Sequence, residues 1–227
     1  MAKYKPEDIR NVVFVGHGGT GKTSMVEEIL YVTKANSRIG SVRDGSSLSD
    51  FAEDEVSAQA SIDLSTLYAN HKGVHFQLFD TPGRSDFLGQ MVEGLYAADI
   101  AAVFVDGYSG VQVNTRKAWQ IATEMGKTRA IVLSKLDVEN VDLPRVIDSI
   151  RTLFGPQCVP FTLPDTTGGG ISKLFSVLSP GEGAPDIVRR FHEPLLESIV
   201  ESDEELTMRY LDGEDVSAEV GAHVGKA

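Results

Sequence analysis

The sequence has 227 residues, 41% hydrophobic and 24% charged, enough apolar material for one sizeable core or a core with an appendage. Its formal net charge of −12 argues against strong direct nucleic-acid binding, which needs an excess of Lys and Arg to neutralise phosphates. The single cysteine, Cys158, cannot form an internal disulfide and fits a reducing compartment, and no export signal or bilayer-length apolar run occurs, so a cytoplasmic monomer without membrane contact is expected.

In chain order, the first predicted element is a short buried parallel strand, Asn11-Val-Val-Phe-Val15. It runs into Gly16-His-Gly-Gly-Thr-Gly-Lys-Thr23, which fits Gly-x-x-x-x-Gly-Lys-Ser/Thr, and then into a helix from Ser24 to Leu30. Strand, glycine-rich turn and helix are what a phosphate loop needs. Glycines allow positive φ, successive N–H groups meet phosphate oxygens, and the helix turns its positive end toward the anion. The candidate nucleotide-binding residues are therefore His17, Gly18, Gly19, Thr20, Gly21, Lys22, Thr23 and Ser24. Lys22 would reach the β and γ phosphates and the Thr23 hydroxyl would bind Mg²⁺.

From Asn36 to Ala60 the chain is rich in Ser, Gly, Asp and Glu without steady periodicity, which predicts a long mobile loop. Ile62 to Tyr68 and Val74 to Asp80 alternate like two antiparallel strands joined by the turn Asn70-His-Lys-Gly73. The second strand ends in Asp80-Thr-Pro-Gly83. Asp, Pro and Gly favour any strand-ending turn, but next to a phosphate loop Asp80 stands where a carboxylate supports Mg²⁺, and the Gly83 N–H can meet a terminal phosphate. A helical stripe follows from Phe87 to Tyr96. A strand is then expected from Ile100 to Val105, a helix from Val113 to Met125 with Trp119 on its core face, a strand from Ala130 to Leu133, a helix from Pro144 to Phe154, and a last strand from Val159 to Leu163.

Strands alternating with helices in this way predict an α/β fold, a mostly parallel sheet covered on both faces, with the site at the carboxyl ends of the strands. Residues 1–165 read as this nucleotide-binding core. The Gly/Ser/Pro-rich stretch from Thr166 to Pro185 marks a boundary, and 166–227 reads as a helical insert with helices from Asp186 to Val200 and Asp203 to Leu211.

Leu133-Ser-Lys-Leu-Asp137 follows a buried strand where guanine-nucleotide proteins carry Asn-Lys-x-Asp. A carboxylate there accepts from the ring N–H and amino group of guanine, which adenine lacks, at about 1.5–3 kcal/mol per charge-assisted bond. Asp137 would select guanine, and Lys135 would lie along the base. Ser134 stands where Asn is usual, which keeps an ATP-using P-loop protein in view.

Taken together, Gly-His-x-x-x-Gly-Lys-Thr, Asp-Thr-Pro-Gly-x-x-Asp-Phe, Ala97-Ala-Asp with Gly110-Val-Gln, and Lys-Leu-Asp resemble the GTP-binding domain of the bacterial elongation factor G family. The Gly18-Gly19 pair is most similar to the divergent elongation factor G-like branch. His192-Glu-Pro-Leu-Leu-Glu with Tyr210-Leu-Asp-Gly-Glu resembles the helices of that family's insert, which is too short here for its usual small sheet. The resemblance implies a P-loop translational GTPase using GTP, GDP and Mg²⁺, with the ribosome as partner and further domains beyond. It also implies that Ser61, in Ala58-Gln-Ala-Ser61, stands where a threonine binds Mg²⁺; equally, Ser61 would serve as a strand-leading serine.

Departures from the family pattern qualify the expected catalysis. Gly19 replaces a common Asp, and no closing guanine motif precedes Ala227, so the chain resembles a domain ending before its last strand. Arg84 stands where a histidine positions water. A guanidinium cannot take a proton from water; Arg84 would either stabilise transition-state charge or sit in solvent. The candidate catalytic residues are Lys22, Gly83 and Arg84, and slow hydrolysis is expected. The competing expectation is a guanine-nucleotide-dependent binding module with little turnover.

Overall fold

A computed structural model of the protein describes residues 4–214 together with Val216 and Val220. Two compact units divide the chain, residues 1–135 and 136–227. The division falls after the fifth strand, where the sequence placed it at 165.

In the first unit, a 3-10 turn (Pro6–Asp8) precedes β1 (Ile9–Gly16), and α1 (Lys22–Val32) follows the glycine-rich turn. Next come α2 (Glu53–Ala58), β2 (Ser65–His71), β3 (Val74–Asp80), α3 (Leu88–Ala97), β4 (Ile100–Asp106), α4 (Val113–Glu124) and β5 (Thr128–Ser134). The sheet order is β2-β3-β1-β4-β5, with only β2 antiparallel to its neighbour. The β2–β3 hairpin turns on Lys72 (φ 48°) and Gly73 (φ 85°), both left-handed, the geometry whose twist matches that of the flanking strands.

Alternation along the central strands explains why none reads as half polar. Val13 and Val15 of β1 and Ala101 and Val103 of β4 pack with Met91, Leu95, Ala118 and Ala122 of α3 and α4. Phe14 and Ala102 and Phe104 point the other way and pack with Val26 and Leu30 of α1. Both faces are covered, so the strands are apolar throughout. Trp119 is half-buried against the first of these clusters, with the Arg129 guanidinium 4.6 Å from its ring.

Two expectations in this unit need correction. The stretch from Asn36 to Ala60, expected to be an irregular mobile loop, contains α2. Three acidic residues open that helix, where they complement its positive end, and the Glu55 carboxylate accepts from the Ala52 N–H (3.3 Å). The first hairpin strand begins at Ser65, three residues later than expected, because the Ile62 and Asp63 N–H groups donate to Glu55 rather than to a sheet partner.

The second unit contains α5 (Leu143–Phe154), β6 (Thr162–Pro164), β7 (Leu174–Ser176), α6 (Asp186–Arg190), α7 (His192–Val200) and α8 (Glu204–Leu211). The strand expected from Val159 to Leu163 is only three residues long and pairs antiparallel with β7 in a two-stranded sheet of its own. The region 166–227, expected to be a helical insert, thus supplies one strand of that small sheet. This unit begins before 165 because α5 and the segment before it are tied to later residues: Gly168 N–H donates to Leu136 O (2.8 Å), Thr167 Oγ1 to Val141 O (3.1 Å), and Arg151 lies over the Phe191 ring. Asp203 caps α8 by accepting from the Glu205 and Leu206 N–H groups. Residues 221–227, the end of the expected insert, lie outside the described residues.

Candidate functional site

The phosphate loop joins β1 to α1 in a shape only its glycines permit. Gly19 and Gly21 have φ of 74° and 88°, and Gly21 is the left-handed residue that starts the helix. Lys22 folds back over the loop, its Nζ 3.0 Å from His17 O and 3.4 Å from Gly16 O. Burial pushes the pKa of this ammonium down, against the pull of Asp80 and Asp50. No described residue accepts from the N–H groups of residues 18 to 21. Unsatisfied backbone donors beside a buried cation are an arrangement that suits an anion.

Register brings Asp80 to this loop. Phe14 pairs with Asp80 across β1 and β3, and Thr81 Oγ1 donates to Phe14 O (2.6 Å). Asp80 is 1% exposed and accepts from Ser49 Oγ (2.7 Å), while its Oδ1 is buried without a geometrically sound hydrogen bond. Burial raises its pKa; the hydroxyls of Ser49 and Thr23, and the Lys22 charge, oppose the rise. Thr23 Oγ1 lies 3.3 Å from Ser61 Oγ, so the expected metal set of Thr23, Ser61 and Asp80 comes together.

Asp50 joins them, and sequence reasoning missed it. It is 3% exposed, lies close enough to the Ser61 hydroxyl for that group to oppose the rise in its pKa, and has a buried Oδ1 with no partner. Burial lifts its pKa to about 6, and the nearby Asp80 and Glu55 charges add to the rise. Two buried carboxylates with an orphan oxygen each, beside two hydroxyls, form the hard-oxygen donor set that suits Mg²⁺. Asp50 was hidden because its segment has no periodicity. Its placement depends on Glu27 of α1, whose buried carboxylate accepts from Gly40 N–H (3.0 Å), Ser47 Oγ (2.8 Å) and Leu48 N–H (2.6 Å).

The Asp80-Thr-Pro-Gly83 turn meets the phosphate loop at Gly18. A Cβ built on Gly83 would fall 2.6 Å from Gly18 Cα and nearer still to its nitrogen. Asn114 of α4, also missed, donates to Gly83 O (2.8 Å) and accepts from Ser85 Oγ (3.1 Å). Arg84, between them, is exposed, and its side chain makes no hydrogen bond or ion pair among the described residues.

At the end of β5, Ser134 Oγ donates to Thr20 O (2.7 Å), bracing the phosphate loop. Lys135, left-handed at φ 56°, pairs with Asp106 at 2.9 Å. Burial would raise the Asp106 pKa, but its bonds from Lys135 and from the Ser109 and Tyr108 N–H groups outweigh that and hold it low. Asp137 is exposed and belongs to the second unit. Asp106 gave no signal in sequence because it reads as an ordinary strand end.

The elongation factor Tu GTP binding domain family matches residues 7–220. This chain belongs to that family. It is similar to elongation factor G-like proteins of Mycobacterium tuberculosis, 34% identical over 95% of this chain and 32% of that protein, and of Thermotoga maritima, 28% identical over 92% and 32%. A protein named elongation factor G from Dehalococcoides mccartyi is 30% identical over 96% of this chain and 34% of its own length. A crystal structure from Thermus thermophilus superposes with a TM-score of 0.86 at 35% identity, covering 93% of this chain and 34% of that one. The GTP-binding domain described here spans about a third of the length of the curated relatives it matches. Its five-stranded sheet with helices on both faces is the P-loop GTPase fold of the family.

Proposed function

We propose that this domain binds GTP and GDP with Mg²⁺ in the manner of an elongation factor G-like translation factor, and that its unaided hydrolysis is slow. The observation that carries the reading is the convergence of the buried Lys22 ammonium, the orphan N–H groups of the phosphate loop and the Thr23–Ser61–Asp80 oxygen set.

In this reading His17, Gly18, Gly19, Thr20 and Gly21 wrap the phosphates. Lys22 balances their charge, and the N–H groups of Thr23 and Ser24 open the helix toward them. Thr23, Ser61 and Asp80 would hold Mg²⁺, which when bound neutralises charge on the phosphate oxygens. The Gly83 N–H meets the terminal phosphate. Ser134 braces the loop, Lys135 flanks the base, and Asp137 reads the guanine edge. Replacing Asp137 by Asn tests the last role: the preference should pass from guanine to xanthine nucleotides, and a variant that still prefers guanine would refute it.

Catalysis falls short on this chain's own residues. Arg84 is solvated and permanently charged, so it cannot accept the proton of an attacking water. This favours either a partner-supplied group, with the ribosome the partner implied by kinship, or a nucleotide-dependent binding module with no useful turnover. Single-turnover phosphate release with and without ribosomes separates them: stimulation supports the translational GTPase, and no release under either condition supports the module. The acidic charge argues against strong direct RNA binding by this domain. No helix among the described residues is long and apolar enough to cross a membrane, and a cytoplasmic monomer remains the proposed state.

A further inference from the structure

Adjacent residues in the first turn of α4 grip the two loops of the site. Thr115, fully buried, accepts from the His17 N–H (3.3 Å) and donates to Phe104 O (3.2 Å), anchoring the phosphate loop. Asn114, 7% exposed, uses both ends of its amide on the facing turn, donating to Gly83 O and accepting from Ser85 Oγ. The two bonds bracket Arg84, whose own side chain holds nothing. The spacing between the loops, closest at Gly18 and Gly83, is therefore referred to one rigid helix packed on β1 and β4.

We propose that Asn114 is the positioning residue that holds Gly83 and the Arg84 backbone against the phosphate loop, and so sets how well the site distinguishes a guanosine triphosphate from a diphosphate. The inference rests on the nucleotide reading above. A diphosphate is gripped by the loop, Lys22 and Thr23, none of which hydrogen-bonds to the Asn114 side chain. Only a third phosphate needs the Gly83 N–H at a fixed height. Asn114 should thus contribute to triphosphate affinity and leave diphosphate affinity alone.

The test measures affinity for GDP and for a non-hydrolysable GTP analogue, both with Mg²⁺, and separately the rate of tryptic cleavage after Arg84 in the nucleotide-free protein. Asn114→Ala should weaken the analogue about five-fold, the value of one hydrogen bond, hold GDP within about two-fold, and speed cleavage after Arg84. Ser85→Ala keeps the Gly83 bond and should move the analogue less. A wild-type affinity ratio in Asn114→Ala, equal losses for both nucleotides, or unchanged cleavage overturns the proposal. Should that variant not fold, Asn114→Gln, whose amide sits one methylene farther out, should shift the ratio the same way, and a wild-type ratio there overturns it. Failure of the unmodified protein to bind either nucleotide refutes the nucleotide reading instead, while the cleavage comparison still reports whether Asn114 holds the turn.

Discussion

Gly83 packs so tightly against Gly18 that no side chain fits between the Asp80-Thr-Pro-Gly83 turn and the phosphate loop. The obstacle is backbone, which cannot rotate aside as a side chain would. Gly83→Ala should therefore cost about 1–3 kcal/mol by overpacking and push the turn off the loop. Denaturant titration of the variant checks this; wild-type stability would show that the two loops can separate freely.

Glu27 ties the segment that leads to Asp50. With three donors satisfied by one buried carboxylate, Glu27→Ala strands the Gly40 and Leu48 N–H groups. A loss of about 2–4 kcal/mol is expected, with faster amide exchange between residues 40 and 50 than in the wild type. Exchange unchanged in that segment would mean that other contacts hold it.

The Asp106–Lys135 pair gives a pH dependence whose sign is fixed. Asp106 has a folded pKa held below the ordinary aspartate range, so the ionised form is the stabilised one. Its contribution is complete above pH 5, where the unfolded carboxylate is also ionised, and is lost as pH falls through the folded pKa. Because Lys135 is partly exposed, Asp106→Asn should cost only about 0.5–1 kcal/mol at pH 7. Stability curves of the two proteins should converge in acid, and a gap that widens there would contradict the pairing.

Arg84, whose exposed side chain holds no partner among the described residues, should be dispensable for unaided turnover. Arg84→Ala is expected to leave the intrinsic single-turnover rate within about two-fold. A drop of about a thousand-fold would be the signature of an arginine finger instead.

The glycine-rich turn between β1 and α1, the place of Asp80 at a strand end and, α2 apart, the order of elements through β5 could be read from sequence because each rests on local chemistry: glycines at positive φ, apolar runs, a carboxylate at a strand end. Asp50, Glu27, Asn114 and Asp106 could not. Each acts through a partner more than ten residues away in sequence, Ser61 for Asp50 and Gly40 for Glu27 being the nearest, and spacing along the chain does not announce such a partner. The same limit explains the strand ending at Pro164. Its apolar residues announce a strand, but its partner, Leu174–Ser176, lies in a Gly/Ser-rich stretch with no strand signature of its own.

The central claim is that this is a guanine-nucleotide site. It is tested most directly by displacing labelled GDP from the protein, in Mg²⁺, with unlabelled GDP, GTP and ATP. GTP should compete with GDP, while ATP should fail even at about a hundred-fold excess, the discrimination expected when a carboxylate reads two guanine donors. Equal competition by ATP, or no retention of labelled GDP at all, would contradict the account.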